Sequence, residues 1–260
     1  MVPRVLTIAG SDSGGGAGIQ ADLKAFAAAG AHGMSAIVAL TAQNTVGVTA
    51  VHELPPAFVD AQLDAVFSDI GVDAAKTGML FSRRVIEAVA GFLELHRVPL
   101  VVDPVLLASS GARLLEAGAV AALVDRMFPL ATVVTPNLAE ARELCDDSSL
   151  TLSRAELAER LVALGAPAAI VTGGHGEPVD HLFDGERHVE IPVERFEVAA
   201  THGAGCTHSA TLAALLARGL SLEDAALGAA RAAGDAVRNG LVEIGAGDGP
   251  VDVLHVKGRP

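Results

Sequence analysis

The sequence has no tryptophan, no tyrosine and only two cysteines among its 260 residues. Cys145 and Cys206 are too few and too far apart for a disulfide framework, and they lack the short spacing of metal ligands. This cysteine usage is typical of a reducing compartment, so we expect a cytoplasmic protein. Without Trp or Tyr, the hydrophobic core must be built from Ala, Val, Leu and Ile with eight phenylalanines.

Long apolar runs and basic clusters are also missing. No run reaches the ~18 residues expected of a membrane span, and the first residues lead into a predicted strand without an apolar leader. The formal net charge is −13. Because nucleic-acid binding depends on clustered Lys and Arg, neither nucleic acid nor a membrane is an expected partner. A phosphorylated ligand would need local support from helix N-termini, backbone amides or a metal ion.

Short runs of Val, Ile, Leu and Ala alternate with segments of helical periodicity. Strands are predicted near residues 5–9, 35–40, 74–76, 100–103, 132–135 and 168–172, with a hairpin near 179–193. Helices are predicted near 18–29, 58–70, 83–96, 138–144, 154–164, 205–218 and 222–239. The alternation predicts βαβ units and a mostly parallel sheet covered on both faces. No linker or repeat divides the chain, so we expect one domain over residues 1–260.

A glycine-rich loop follows the first predicted strand at residues 10–18. Ligands of parallel sheets bind beyond the carboxyl ends of the strands, which makes this loop a candidate site. Its spacing fails the dinucleotide pattern, and it lacks the Lys-Ser/Thr pair of a P-loop. A tight turn that only packs strand against helix remains an alternative. Asp12 and Asp22 favour a ligand-binding loop over a simple turn. Asp22 lies one turn into the helix, where its side chain can turn towards the pocket mouth.

Two further strand ends carry candidate ligand contacts. Gln43 ends the second strand, and its amide can pair with the donor and acceptor edge of an aminopyrimidine. Met79 follows the third strand and can form an apolar wall for a flat ring. An ordinary loop contact for Gln43 and a core position for Met79 remain open.

Asp103, Asn137 and Glu140 follow the next two strands. A carboxylate at Asp103 suits a place near a metal ion or phosphates. Asn137 and Glu140 share one face of a helix start, where they can hold a hydrated Mg²⁺. The same Asn-x-x-Glu spacing is equally typical of an N-cap with a capping glutamate.

The turn at residues 201–205 precedes a long Ala/Leu helix and carries the most weight. Gly203 and Gly205 at a helix N-terminus leave backbone N–H groups free to bind an anion. Cys206 falls in the first helical turn, where we expect a lowered thiol pKa. A simple cap with a small buried cysteine is the alternative. Thr172 and Gly174, after another strand, line a nucleotide site or only a turn.

Taken together, these segments resemble the hydroxymethylpyrimidine/phosphomethylpyrimidine kinase family of the ribokinase-like superfamily, from about residue 5 to 239. The run Thr-Ile-Ala-Gly-Ser-Asp-Ser-Gly-Gly-Gly-Ala-Gly-Ile-Gln-Ala-Asp at 7–22 and the run Thr-Ala-Gln-Asn-Thr at 41–45 are highly specific to it. The motifs at 103–105, 135–137 and 203–207 appear in the order of the family.

The resemblance implies a three-layer α/β/α fold, ATP with Mg²⁺, and transfer of the γ-phosphoryl group to the hydroxymethylpyrimidine and then to its monophosphate. It also implies a homodimer. For the site it implies pyrimidine contacts at Gln43, Asp22, Gly10 and Met79, a metal and phosphate side at Asp103, Asn137 and Glu140, and an anion hole at Gly203, Gly205 and Cys206.

The chain departs from the family pattern at two positions. Ala204 replaces a common Thr in the anion-hole turn, and Thr172 stands where many members have a Lys that contacts ATP phosphates. The main alternative is a pyridoxal kinase, because some pyridoxal kinases share both the fold and the cysteine. Sugar kinases of the superfamily carry Asp where Cys206 stands and are therefore a poorer match. A non-catalytic binding protein and a dinucleotide-dependent oxidoreductase fit the motifs less well.

Overall fold

The protein is built on one nine-stranded sheet in the order β3-β2-β1-β4-β5-β6-β7-β8-β9, as seen in a computed structural model that describes residues 1–108, 110–173 and 178–258. The strands from β2 to β7 in this order run parallel. β3 is antiparallel at one edge, and β8 and β9 form an antiparallel hairpin at the other. The predicted, mostly parallel sheet is therefore confirmed.

The strands are β1 Arg4–Asp12, β2 His32–Gln43, β3 Val48–Glu53, β4 Ala74–Thr77, β5 Leu100–Val102, β6 Val133–Val134, β7 Ala169–Val171, β8 Val179–Phe183 and β9 His188–Pro192. The helices are α1 Gly18–Ala28, α2 Pro56–Ala65, α3 Arg83–Leu95, α4 Val120–Ala122, α5 Leu138–Leu144, α6 Arg154–Ala163, α7 Ala204–Ala217 and α8 Leu222–Arg238. Within the described ranges, no helix is both long enough and apolar enough to cross a membrane.

Two hydrophobic cores lie on the two faces of the sheet, because side chains alternate in direction along each strand. Val101 and Val133 belong to the core that contains residues of α1, α7 and α8. Their neighbours Val102 and Val134 belong to the core under α2, α3, α5 and α6. Both faces of the sheet are thus covered by helices, which gives the three layers expected from the resemblance.

Three regions depart from the predicted elements. β3 was not predicted, because its sequence Val-Thr-Ala-Val-His-Glu forms a partly exposed edge strand without a continuous apolar run. Residues 117–130 form a chain of short helical turns of different pitch around α4. The predicted helix at 58–70 also divides, since α2 continues into the wider turn Val66–Ile70. Helix periodicity does not report such changes of pitch.

Candidate active site

A cavity of about 170 Å³ lies at the carboxyl ends of the parallel strands and against the start of α7. The following predicted site residues line it: Gly10, Gln43, Met79, Asp103, Asn137, Glu140, Thr172, Gly203, Gly205 and Cys206. Asp22 is fully buried and does not line the cavity, and Gly174 lies outside the described residues. The sheet topology therefore brings nearly all of the predicted positions to one place.

Asp12 organises the glycine-rich loop after β1. Its carboxylate accepts hydrogen bonds from the backbone N–H groups of Gly14, Gly16 and Ala17 at 2.8, 3.0 and 2.8 Å. It also lies 3.0 Å from Nε2 of His202. Burial alone would raise the pKa of Asp12, but the bonds from His202 and the backbone outweigh it and lower the pKa below its ordinary value. Asp12 thus joins the first loop of the chain to the turn before α7.

Gly203 fixes the approach of these two loops. Its φ is 86°, in the left-handed region that glycine adopts readily. A Cβ atom at this position would collide with the carbonyl oxygen of Gly16. At Gly205, by contrast, a Cβ atom would meet nothing within 4 Å. Gly203 is therefore required by the packing of one backbone on another, whereas Gly205 leaves the cavity open above the first turn of α7.

Cys206 lies in the first turn of α7 and is half-buried. The expectation of a lowered thiol pKa is wrong for the ligand-free protein. Burial raises the pKa of the Cys206 thiol to about 12, and Asp22 and Asp103 add to this, although Lys76 opposes it. The dipole of the helix N-terminus is therefore outweighed by desolvation and by the two nearby carboxylates.

Lys76 is a site residue that the sequence motifs did not single out. It is fully buried, and its Nζ lies 2.9 and 3.0 Å from the two carboxylate oxygens of Asp22. Thr7 donates a third hydrogen bond to Asp22 at 2.6 Å. The expected turn of Asp22 towards the pocket mouth is corrected, because Lys76 and Thr7 hold its carboxylate beneath the cavity floor. A lysine inside a strand otherwise made of Ala and Thr was the available signal.

The charges of this buried pair follow from its geometry. Burial would lower the pKa of Lys76, but the charges of Asp22, Cys206 and Asp103 and the hydrogen bond to Asp22 together outweigh it and raise the pKa above the ordinary value. Burial raises the pKa of Asp22, although Lys76 and Thr7 oppose that shift. Both carboxylate oxygens face one ammonium, which is the arrangement of a charged pair. The pair is neutral overall, with its ammonium group in the lining of the cavity and its carboxylate behind that group.

Asn137 and Glu140 form the capping box that the sequence left open as an alternative. The Asn137 side chain accepts bonds from the N–H groups of Ala139 and Glu140 at 2.9 and 3.0 Å, and Glu140 accepts from the Asn137 N–H at 3.0 Å. Glu140 also lines the cavity and is 6% exposed. Burial, followed by the charge of Asp103, raises its pKa to about 8. The motif therefore starts α5 and presents a buried carboxyl group to the cavity.

The opposite side of the cavity carries Gln43 and Met79. Gln43 is held through its backbone, since its N–H donates to Ser13 Oγ at 2.8 Å and its carbonyl accepts from the same hydroxyl at 2.7 Å. Its side-chain oxygen accepts from Thr41 at 3.2 Å. Met79 is 7% exposed and lies against Gly10, where a Cβ atom would collide with its methyl group. An amide and an apolar wall thus face the same space.

Thr172 closes the cavity at the end of β7. Its N–H donates to the carbonyl of Pro136 at 3.0 Å, which ties it to the segment before α5. The next N–H, that of Gly173, donates to the buried Asp180 at 2.5 Å. His208 Nε2 lies 3.5 Å from the other oxygen of Asp180. This part of the rim is therefore fixed from β8 and from α7.

Comparison with known proteins agrees with this arrangement. A family model described as phosphomethylpyrimidine kinase matches residues 12–252. The hydroxymethylpyrimidine/phosphomethylpyrimidine kinase of Rhizobium meliloti is 49% identical, over 98% of this chain and 98% of that protein. A thiamine biosynthesis bifunctional protein of Geobacter sulfurreducens is 50% identical over 95% of this chain, and the chain spans about half (51%) of its length.

Solved structures of the same fold include a pyridoxal kinase from Staphylococcus aureus in complex with AMP-PCP. Its TM-score is 0.89 at 34% identity, over 99% of this chain and 96% of that chain. The family model covers most of the chain, and the Rhizobium relative aligns from end to end at high identity. The chain belongs to the phosphomethylpyrimidine kinase family and has its ribokinase-like fold.

Proposed function

We propose that the protein transfers the γ-phosphoryl group of ATP to the hydroxymethyl oxygen of 4-amino-5-hydroxymethyl-2-methylpyrimidine, and then to the resulting monophosphate, in thiamine biosynthesis. The observation that carries the proposal is a single cavity with Gln43 and Met79 on one side and the first turn of α7 on the other. Family membership and the AMP-PCP complex of a relative support a kinase that uses ATP. They also argue against the oxidoreductase and the non-catalytic protein.

Gln43 is proposed as the main contact of the aminopyrimidine edge. Its side-chain oxygen has Thr41 as a donor, and within the described part of the chain its amide nitrogen has no protein acceptor. That nitrogen can donate to a ring nitrogen while the oxygen accepts from the exocyclic amine. Met79, lying on Gly10, would pack against the flat face of the ring. Asp22 would influence this pocket from below, through Lys76.

The first turn of α7 is proposed to hold the transferring phosphoryl group. Backbone N–H groups at the start of a helix have no partner within the helix and attract anions. Gly203, Gly205 and Cys206 supply this turn, and the absence of a side chain at Gly205 lets a phosphate approach. The N–H group of Ala204 donates to the carbonyl of Thr201 at 3.0 Å, so it closes the turn and leaves anion binding to the other N–H groups. Thr172 would lie on the nucleotide side of the cavity.

Asp103 and Glu140 are the residues that would hold Mg²⁺. In the described ranges no group of three or more His, Cys, Asp or Glu side chains is arranged for a metal ion. Two carboxylates nonetheless fit Mg²⁺, which keeps several waters and binds phosphate oxygens. The charge of Asp103 raises the pKa of Glu140, a repulsion that a cation would relieve. Bound there, Mg²⁺ would neutralise charge on the transferring phosphate.

The thiolate form of Cys206 is proposed to accept the proton of the substrate hydroxyl group and thereby become the thiol. Its thiol pKa is about 12, so only a small fraction is thiolate near pH 7. In a loose phosphoryl-transfer transition state the attacking oxygen forms its bond late, which makes early proton removal less important. Positioning by Gln43 and by the first turn of α7 would then act together with proton transfer to Cys206, since general acid–base catalysis is typically worth about 10²–10⁴ in rate.

A coupled ATPase assay tests the proposal with hydroxymethylpyrimidine, its monophosphate and pyridoxal as separate substrates. We expect turnover with both pyrimidines and a kcat/KM at least about tenfold lower with pyridoxal, because that ring lacks the aminopyrimidine edge that Gln43 would bind. Preference for pyridoxal would favour the alternative. Turnover with none of them would contradict a kinase of either kind.

We also propose that residues 1–260 act as one domain and that the protein is a cytoplasmic homodimer. The continuous nine-stranded sheet supports a single folding unit. Light scattering at micromolar concentration, with a mass of twice 26.3 kDa as the expected result, tests the dimer.

A further inference from the structure

Lys76 lines the floor of the cavity, although its side chain has no exposed surface. It is in register with Thr7 of β1, and both side chains face α1 and α7. A Cβ atom at Gly78 would lie 2.9 Å from Nζ, so the backbone after β4 also leaves room for the ammonium group. The charge of Lys76 is therefore held at a defined point beneath the reaction site.

One carboxylate oxygen of Asp103 accepts a hydrogen bond and also faces the Lys76 ammonium group. Ser209 of α7 donates to Oδ2 at 2.7 Å, and Nζ of Lys76 lies 3.7 Å from the same atom. No hydrogen bond to Oδ1 is found among the described residues. One oxygen of Asp103 is thus held from α7 and from β4, and the other is left for a ligand in the cavity.

We propose that Lys76 is a positioning residue for phosphoryl transfer: anchored by Asp22, it acts with Ser209 to orient Asp103 in the cavity. This inference rests on the proposed function of the cavity. It also reassigns Asp22, whose carboxylate is separated from the cavity and acts through Lys76 instead of on the substrate.

A purely structural ion pair would behave differently on replacement. Exchanging both members of a buried pair for neutral residues of similar size is often neutral or stabilising, whereas removing one member leaves an unpaired buried charge. The double variant Asp22→Asn/Lys76→Met therefore separates stability from positioning. If the pair serves stability alone, the double variant should recover activity together with its Tm.

For the double variant we expect a Tm close to that of the wild type and a kcat lower by about 10–100-fold, as misplacement of a catalytic group produces. Titration calorimetry gives a second readout, the affinity for AMP-PCP. It suits this chain because it does not need Trp or Tyr fluorescence. We expect Mg²⁺-loaded AMP-PCP to bind about tenfold more weakly, the effect of losing an interaction with a charged group. Metal-free AMP-PCP should bind as it does to the wild type.

The matched control is Arg4→Met/Asp73→Asn. Arg4 and Asp73 form an ion pair 2.6 Å apart at the amino ends of the same two strands, away from the cavity. This variant should keep the wild-type kcat. A double variant of Asp22 and Lys76 whose kcat stays within about threefold of wild type, far less than misplacement costs, would overturn the positioning role.

Ser209 gives a second route that leaves the ion pair intact. Ser209→Ala removes the donor to Asp103 Oδ2, and Ser209→Thr retains it. We expect a lower kcat for the Ala variant, with the pyrimidine KM unchanged, and recovery in the Thr variant. Equal kcat in the Ala variant and the wild type would also overturn the proposal. An inactive wild type would instead contradict the kinase function itself, so the two failures are distinguishable.

Discussion

Under the proposed function, the side chain of Gln43 selects the ring that enters the cavity. Its backbone is clamped to Ser13 of the glycine-rich loop, so the amide has few ways to move aside. We predict that Gln43→Leu raises the KM for hydroxymethylpyrimidine by about 5–150-fold, because an unpaired buried ligand edge costs about 1–3 kcal/mol. The KM for ATP should not change. Steady-state kinetics with each substrate varied in turn measures both, and an unchanged pyrimidine KM would remove Gln43 from the pocket.

Cys206 makes a prediction about pH. Because its thiol pKa is about 12, the thiolate fraction near neutrality is small and grows about tenfold per pH unit. If the thiolate accepts the hydroxyl proton, the single-turnover rate of the wild type should rise with the thiolate fraction, about tenfold per pH unit, between pH 6.5 and 9. Cys206→Ala should be about 10²–10⁴-fold slower, with a flat profile. If the pH–rate profiles of the wild type and the Cys206→Ala variant were parallel, Cys206 would not be the proton acceptor. Catalysis would then rest on the backbone turn and the metal.

Glu140 links pH to stability. Its pKa in the folded protein is about 8, above the ordinary 4.5, so the folded state holds a proton that the unfolded chain releases more easily. The stabilisation is complete below pH 4.5 and is lost as the pH rises through 8. We predict that the Tm in excess chelator falls over this window and that Glu140→Gln flattens the fall. Equal Tm profiles would contradict the raised pKa.

Sequence motifs identified most residues of the cavity but not their charges. Gly10, Gln43, Asp103 and Cys206 follow strands or start a helix, and the topology of parallel sheets brings such positions together. The orientation of Asp22 and the pKa of Cys206 could not be predicted, because both depend on Lys76. That residue is distant from Asp22 along the chain, and only the register of β1 with β4 brings the two together.

At the scale of elements, the turn before α7 packs directly on the glycine-rich loop. We predict that Gly203→Ala destabilises the fold by more than about 2 kcal/mol, since it adds both a collision with Gly16 and a left-handed backbone strain. Gly205→Ala is the matched control, because its Cβ atom would meet open space. Denaturant unfolding of both variants measures the difference, and equal stabilities would show that the turn can move.

The elements themselves were largely predictable. The buried strands and amphipathic helices have strong periodicity, and the structure confirms those near 83–96, 154–164 and 222–239. The edge strand β3 and the helical turns around α4 could not be predicted, because their form is set by packing against neighbours rather than by a local sequence pattern. The capping box of α5 had the correct residues, yet the sequence could not decide between a cap and a metal site.

For the whole molecule, the net charge of −13 opposes the binding of a polyanionic nucleotide. We predict that turnover needs a divalent cation and ceases in excess chelator, and that Mg²⁺ restores it. Glu140→Gln should require a higher Mg²⁺ concentration for half-maximal rate. Full turnover in chelator would contradict the proposed metal side of Asp103 and Glu140.

The contact between His202 and Asp12 joins residues that are 190 positions apart. During synthesis, the strands that carry Gln43, Met79 and Asp103 leave the ribosome long before α7 is made. A chain that ends before residue 200 lacks the turn that is proposed to bind the phosphoryl group. Under the proposed function, we therefore expect phosphoryl transfer to begin only after the last quarter of the chain has been made and has docked on the glycine-rich loop.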